Sequence, residues 1–280
     1  MSEPADSRSI RQRFDAAAEL HDAHAALGTV VGARLLDRLE GLRFDPARIV
    51  DLGCATGRQA AALRQRFPQA TIAALDQSWP MLRQARRRRG RWRPRFDLVQ
   101  GDFGQLPLAD NSQDLVHACL SLQWRPDLPG TLAGIRRIMR PRGLVLLALP
   151  GPDTLIELRR CGITVDCGIT THAQALGDAL IRAGFQEPVL DTDWLSLDYP
   201  DLPRLLADLD HTGVGHVLPA APETIAETLV EGSDGEGIRV TWEVLYATAW
   251  SPDEGQPIRT DQGEEASFPV TSLGIRRRGN

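Results

Sequence analysis

Residues Arg48–Leu63 read RIVDLGCATGRQAAAL. An aliphatic run carries an acid, Asp51, near its end; small residues follow at alternate positions, Gly53, Ala55 and Gly57, and an alanine-rich segment continues. A strand that turns through side-chain-poor residues into a helix leaves main-chain N–H groups free at the helix start, where a ligand can come close. A pyrophosphate-binding turn carries G-x-G-x-x-G. This one reads D-x-G-x-A-x-G, and an acid beside bare main chain suits an ammonium group better than a pyrophosphate. A plain tight turn also uses glycine, so the surroundings must decide.

Working outward from that loop, short apolar runs alternate with helical ones. RIVDL precedes a helix over Gln59–Phe67. ATIAALD precedes Trp79–Arg88, FDLVQGD follows, DLVHACL precedes Leu128–Met139, and GLVLLALP comes after. That cadence predicts parallel strands joined by crossover helices, with both faces covered and the strands nearly all apolar. Upstream, Arg8–Leu39 is helical in pattern, and Gly28 is the expected break. Downstream, helices are expected over Leu155–Arg160 and Ala173–Ala183, and strands over Pro188–Tyr199, Ile238–Ser251 and SFPVTSLGI near the end. Asp201–Gly237 reads as loop-rich, with EGSDGEG as its tip. The expected organisation is a helical cap over 1–45, a core over 46–200, an insertion covering the substrate site over 201–237, and closing core strands over 238–280.

Bulk composition removes several function classes. The chain has 280 residues, 42% of them hydrophobic, and a net charge of -5. No apolar run approaches the roughly 18 residues of a membrane helix, and the first residues carry no apolar signal core; a soluble cytoplasmic protein is expected. All 32 basic residues are arginines, which excludes Schiff-base and P-loop lysine chemistry. The four cysteines form no C-x-x-C pair and are expected as free thiols. Cys161, Cys167 and His172 are a thin ligand set, and no metal is expected.

The later strand ends strengthen the loop. Asp76 closes ATIAALD about 20 residues past the glycines, where an acid accepts from a ribose diol; a helix N-cap is the competing role. Gly101-Asp102-Phe103 follows the third run, and LSLQW follows the fourth. In order and spacing these segments resemble the motifs of class I S-adenosylmethionine (SAM) methyltransferases, whose first motif is D/E-x-G-x-G-x-G. The resemblance implies a Rossmann-like α/β sheet, mostly parallel with an antiparallel seventh strand and helices on both faces. It implies SAM as cofactor, bound by Asp51, Gly53, Cys54, Ala55, Gly57, Asp76, Gln77, Met81, Gly101, Asp102 and Phe103. Asp51 would orient the loop and the methionine moiety, Met81 would pack on the adenine, and Asp102 would accept from its amine. Ala55 departs from the pattern: a negative φ would tolerate its methyl, a positive φ would strain it.

RSIRQRFDAAAELHDAH, LSLQWRPDLPGTLAGIRRIMRPRG, LPGPDTLIELR, LGDALIRAGFQEPVLD and VTWEVLYATAW occur in this order. They are similar to segments of the malonyl-acyl-carrier-protein O-methyltransferases that begin biotin synthesis. Two departures stand out: His21 replaces an aromatic residue, and CGITVDCGITTH (161–172) is rewritten. The family's reaction is in-line attack by the free carboxylate of a malonyl thioester on the sulfonium methyl. That nucleophile is ionised at neutral pH, so no general base is required.

The acceptor-site candidates are Gln123, Trp124, His21, Arg13 and Arg125, with Arg159 a third arginine suited to a carboxylate. Leu205–His216 is expected to help cover the acyl group. His117, His172, His211 and His216 form no recognisable set, and His21 and His24 lie one helical turn apart without a third ligand. Acyl carrier protein is the expected partner, with the basic tract Arg83–Arg95 as a candidate docking face; the plain reading of that tract is a solvated helix end, and an RNA contact with Trp92 is the least favoured. Three alternatives stay open: a methyltransferase for another small molecule, a SAM-binding assembly factor or hydroxylase similar to respiratory complex I assembly proteins, and an RNA methyltransferase resting on that tract alone.

Overall fold

A computed structural model describes residues 7–90, 94–218, 237–255, 258–260 and 263–265. Its main sheet contains β1 (Arg48–Leu52), β2 (Thr71–Asp76), β3 (Asp97–Gln100), β4 (Gln113–Cys119), β5 (Met139–Pro150), β7 (Gln186–Tyr199) and β9 (Ile238–Trp250). A short antiparallel pair, β6 (Thr164–Asp166) and β8 (Gly215–Val217), stands apart from it, as does the hairpin β10 (Ile258–Thr260) and β11 (Gly263–Glu265). The order across the sheet is β3-β2-β1-β4-β5-β9-β7. Only β9 runs antiparallel to its neighbours, β5 and β7; the other pairings are parallel.

The helices are α1 (Ser7–Ala17), α2 (His21–His24), α3 (Ala26–Asp37), α4 (Arg58–Arg66), α5 (Trp79–Arg89), α6 (Leu128–Ile138), α7 (Ile156–Arg160), α8 (Ala173–Arg182) and α9 (Leu202–His211). Alternation along β1 explains the layers, since successive side chains of a strand point to opposite faces. Ile49 packs in one buried cluster with Leu35 of α3, Leu63 of α4 and Leu82 of α5. Val50 and Leu52 pack in the other with Leu132 and Ile135 of α6 and Leu180 of α8.

Three expectations need correction. The N-terminal helical run breaks at residues 18–20 and at Ala25, not at Gly28, which lies inside α3 and whose carbonyl accepts from Gln59 Nε2 at 3.2 Å. The stretch read as loop-rich contains α9: Asp201 caps it by accepting from the Arg204 N–H at 2.8 Å, Pro203 sits in its first turn, and Leu202, Leu205 and Leu209 bury one stripe. The proline at its start obscured that helical spacing. In the expected run of closing strands, β9 alone joins the main sheet among the described residues; SFPVTSLGI, most of the EGSDGEG tip and Trp92 lie outside them.

Candidate active site

The loop after β1 lies over the end of β2. The N–H groups of Gly53 and Cys54 both donate to the Leu75 carbonyl, at 2.8 and 3.0 Å. Gly53 has φ 72°, and a Cβ there would overlap the side chain of Ser121, so glycine is required. Ala55 takes φ 45°; a methyl in the left-handed region carries strain of roughly 1 kcal/mol. Part of the compensation is visible: the Ala55 N–H donates to Asp76 Oδ2 at 2.9 Å.

Asp76 is the loop's anchor. Its other oxygen accepts from the Ser78 N–H at 2.8 Å. The N-cap of α5 is Ser78, which accepts from the Met81 N–H, so Asp76 is not the cap. The residue is 8% exposed. Burial pushes its pKa up to about 6, against the pull of the Ser78 and Ala55 N–H groups, and Asp51 adds to the rise. Asp51 is deeper. Parallel register sets it beside His117 of β4, whose Nδ1 lies 2.8 Å from Asp51 Oδ1. Asp51 Oδ2 and His117 Nε2 are buried without a partner among the described residues.

A cavity of about 140 Å³ opens beside this loop. Its floor is Gly53, Ala55, Asp76, Gln77 and Phe103, and one wall is Ser121, Gln123 and Trp124 from the turn after β4. Phe14, His21 and His24 of the N-terminal helices meet Tyr199, Asp208 and Thr212 around the opposite end. The lid is fastened to the loop itself. Asp22 accepts from Thr56 Oγ1 at 2.6 Å and from Arg88 at 2.7 Å, and Arg58 lies 3.5 Å away. Burial opposes this charge, but the hydrogen bonds from Thr56 and Arg88 outweigh it and hold the Asp22 carboxyl below its ordinary range.

The wall is braced from behind. The Ile169 N–H donates to the Gln123 carbonyl at 2.8 Å, Gly168 packs on the same carbonyl, and Cys167 lines the cavity. The rewritten 161–172 segment therefore supports the Gln123–Trp124 wall. Gln123 Nε2 donates to the Leu120 carbonyl, and Gln123 Oε1 is buried without a partner. Trp124 meets Phe14 edge to face at 5.5 Å between ring centres.

Several sequence candidates stand elsewhere. Asp51, Cys54, Gly57, Met81, Gly101 and Asp102 do not line the cavity. Met81 is fully buried against Ala17 and Ala18, below the lid. Asp102 caps the short turn Phe103–Gln105 by accepting from the Gly104 N–H at Oδ1, and the same oxygen pairs with Arg125 at 2.9 Å. The same contact commits Arg125. Arg13 pairs with Asp166 at 2.7 Å in a separate groove. Arg159 donates to the Thr154 and Pro152 carbonyls, tying down the GPDTL loop. Within the basic tract, Arg88 is a lid fastener that also donates to the Thr56 carbonyl at 2.6 Å. The sequence reading missed Asp22, Tyr199 and Asp208, and left His117 without a role. The pairing of His21 with His24 on one helical face was the available signal.

An acid at the β2 strand end, Asp76, main chain lining the cavity at Gly53 and a flat apolar ring at Phe103 suit a ligand that combines a diol with an aromatic base. These residues fit SAM. With the order of the main sheet and β9 as its one antiparallel strand among the described residues, they define a class I SAM-dependent methyltransferase. The family described as "Methyltransferase domain" matches residues 49–143. The chain is 40% identical to the malonyl-(acyl-carrier protein) O-methyltransferase of Xylella fastidiosa strain M23, over 98% of both chains. It is 36% identical to that of Halorhodospira halophila, over 98% of this chain and 97% of the relative. The chain belongs to the malonyl-acyl-carrier-protein O-methyltransferase family. Among solved structures, YcgJ of Bacillus subtilis aligns at TM-score 0.59 and 16% identity, covering 79% of this chain and 98% of that one. Haemonchus contortus phosphoethanolamine N-methyltransferase 2 with SAM aligns at 0.51 and 19%, covering 79% and 52%. These two share the fold.

Proposed function

We propose that this protein is a SAM-dependent carboxyl O-methyltransferase that esterifies the free carboxylate of a malonyl group carried by acyl carrier protein, an early step of biotin synthesis. The end-to-end match to relatives of that activity carries the reading. The cavity supports it, because it joins the loop beside Asp76 to the Gln123–Trp124 wall under one lid.

SAM supplies an electrophilic methyl on a sulfonium. Asp76 accepts hydrogen bonds at the ribose position, Gln77 and Phe103 flank the nucleoside, and Gly53 and Ala55 leave room for close approach. Asp51 sets the loop through His117 rather than by direct contact. Gln123 and Trp124 shape the acceptor side, and the Phe14–Trp124 contact keeps water from it. The work of the site is placement and desolvation of an anion that is already a nucleophile. The basic tract over Arg83–Arg95 is the proposed docking face for the acidic carrier protein, with Arg83 and Arg86 exposed at its described end. Lowered turnover in Arg83→Glu/Arg86→Glu with unchanged SAM affinity supports that face; unchanged turnover removes it.

The direct test is incubation of purified protein with SAM and malonyl-acyl carrier protein, with mass spectrometry for the added methyl. Methyl ester formation and rescue of a biotin-requiring strain blocked at this step are expected. Intact SAM binding with no ester formed refutes the substrate assignment.

A further inference from the structure

The acceptor is an anion, and the cavity lacks the usual partner for one. No arginine is among the described residues that line it, and the chain contains no lysine. Arg13, Arg125 and Arg159 are each held elsewhere. The lining residues able to carry positive charge are His21 and His24. His21 donates from Nδ1 to the His211 carbonyl at 2.8 Å, and burial lowers its pKa. A neutral ring with that proton fixed offers a lone pair from Nε2, which repels a carboxylate.

His24 is built differently. Its Nδ1 lies 2.6 Å from Asp208 Oδ1, and since a carboxylate only accepts, Nδ1 carries the proton. Asp208 is itself fixed, by the Tyr199 hydroxyl and by Arg204 at 3.2 Å. The His24 ring stacks on His211 at 4.3 Å and 15°. Its Nε2 has no hydrogen-bond partner among the described residues, in a side chain that lines the cavity. With Nδ1–H directed to Asp208, a proton on Nε2 makes the ring a donor to two carboxylates at once, the protein's and the acceptor's.

We propose that His24 is the residue that binds the carboxylate of the malonyl acceptor, and that Asp208 is its positioning residue. The inference rests on the malonyl reading above and names the residue that recognises the anion. One acceptor oxygen takes the Nε2–H. The other forms the O–CH3 bond while the C–S bond breaks and its electrons go to sulfur, so His24 keeps its proton throughout. His21, His211, Tyr199 and Arg204 are the titratable or charged groups nearest the pair.

The test measures, by calorimetry with S-adenosylhomocysteine present, affinity for malonyl-acyl carrier protein and for its methyl ester. Docking contributes to both, so their ratio isolates recognition of the free carboxylate. Wild type is expected to prefer the acid by about tenfold or more, the range of a hydrogen bond to a charged group. His24→Gln and Asp208→Asn are expected to cut the preference to about threefold or less while S-adenosylhomocysteine affinity holds, an effect that loosened packing alone does not produce. A His24→Gln protein that keeps the full preference overturns the proposal. If that variant loses cofactor binding, Asp208→Asn decides, and a retained preference there overturns it equally. Wild type that neither binds nor methylates malonyl-carrier protein defeats the underlying reading too, whereas normal turnover with an insensitive ratio defeats this inference alone.

Discussion

The floor and the lid of the cavity are built by different means. On the floor, main chain and strand ends set the geometry: Gly53 and Cys54 donate to Leu75, and Asp76 holds Ala55 and Ser78. At the lid, side chains from remote segments meet. His24 and Asp208 are 184 residues apart, and the His21–His211 contact spans 190. A floor made of backbone tolerates few substitutions and keeps its pattern, whereas a lid made of side-chain pairs can change its members together.

The largest expected effect breaks the floor. Asp76→Ala removes the acceptor for two N–H groups and the proposed ribose contact, and SAM affinity is expected to fall about 100-fold or more in calorimetry. A fall under tenfold would place the floor's strength elsewhere.

The next test uses protons. The folded Asp76 carboxyl holds its proton up to about 6, against an ordinary 3.8. Its contribution to unliganded stability is therefore complete below the ordinary value and is lost as pH rises through about 6, a loss on the order of 3 kcal/mol. Ligand binding runs the other way, because the carboxylate must accept. Affinity for S-adenosylhomocysteine is expected to fall about tenfold between pH 6.5 and 5, with proton release on binding near pH 6. A pH-independent affinity would remove Asp76 from the contact.

Asp22→Ala tests the seam between the two regions. It unfastens α2 from Thr56, Arg88 and Arg58. Cofactor affinity is expected to drop about tenfold, with earlier proteolytic cleavage in the N-terminal helices. Equal affinity with unchanged proteolysis would show that the fastening is dispensable. The smallest effect is a gain: Ala55→Gly relieves the strained φ and is expected to raise stability by about 1 kcal/mol or less, read as a small rise in melting temperature.

What the sequence showed follows the same division. The alternation around Arg48–Pro150 located the floor because strands buried on both faces must be apolar and their turns must be small. Ala55 was legible as a departure, but its φ was not, since alanine permits either sign. The pairing of Asp102 with Arg125 was not legible, because the two lie 23 residues apart and spacing does not reveal which charges neutralise one another. Asp208 was invisible for a plainer reason: α9 begins at Asp201-Leu202-Pro203 inside a stretch rich in turn formers, and its acid acquires meaning only beside His24.

The lid also sets an order of assembly. α1 and α2 emerge from the ribosome ahead of the sheet, yet both rest on α9, which follows most of the sheet's strands. Six of the seven main-sheet strands must be synthesised before they find their seat, and contacts closed over so long a loop form late. A nascent chain stalled before α9 would have most of its floor and no roof, so the capacity to enclose a ligand would wait on the synthesis of that helix.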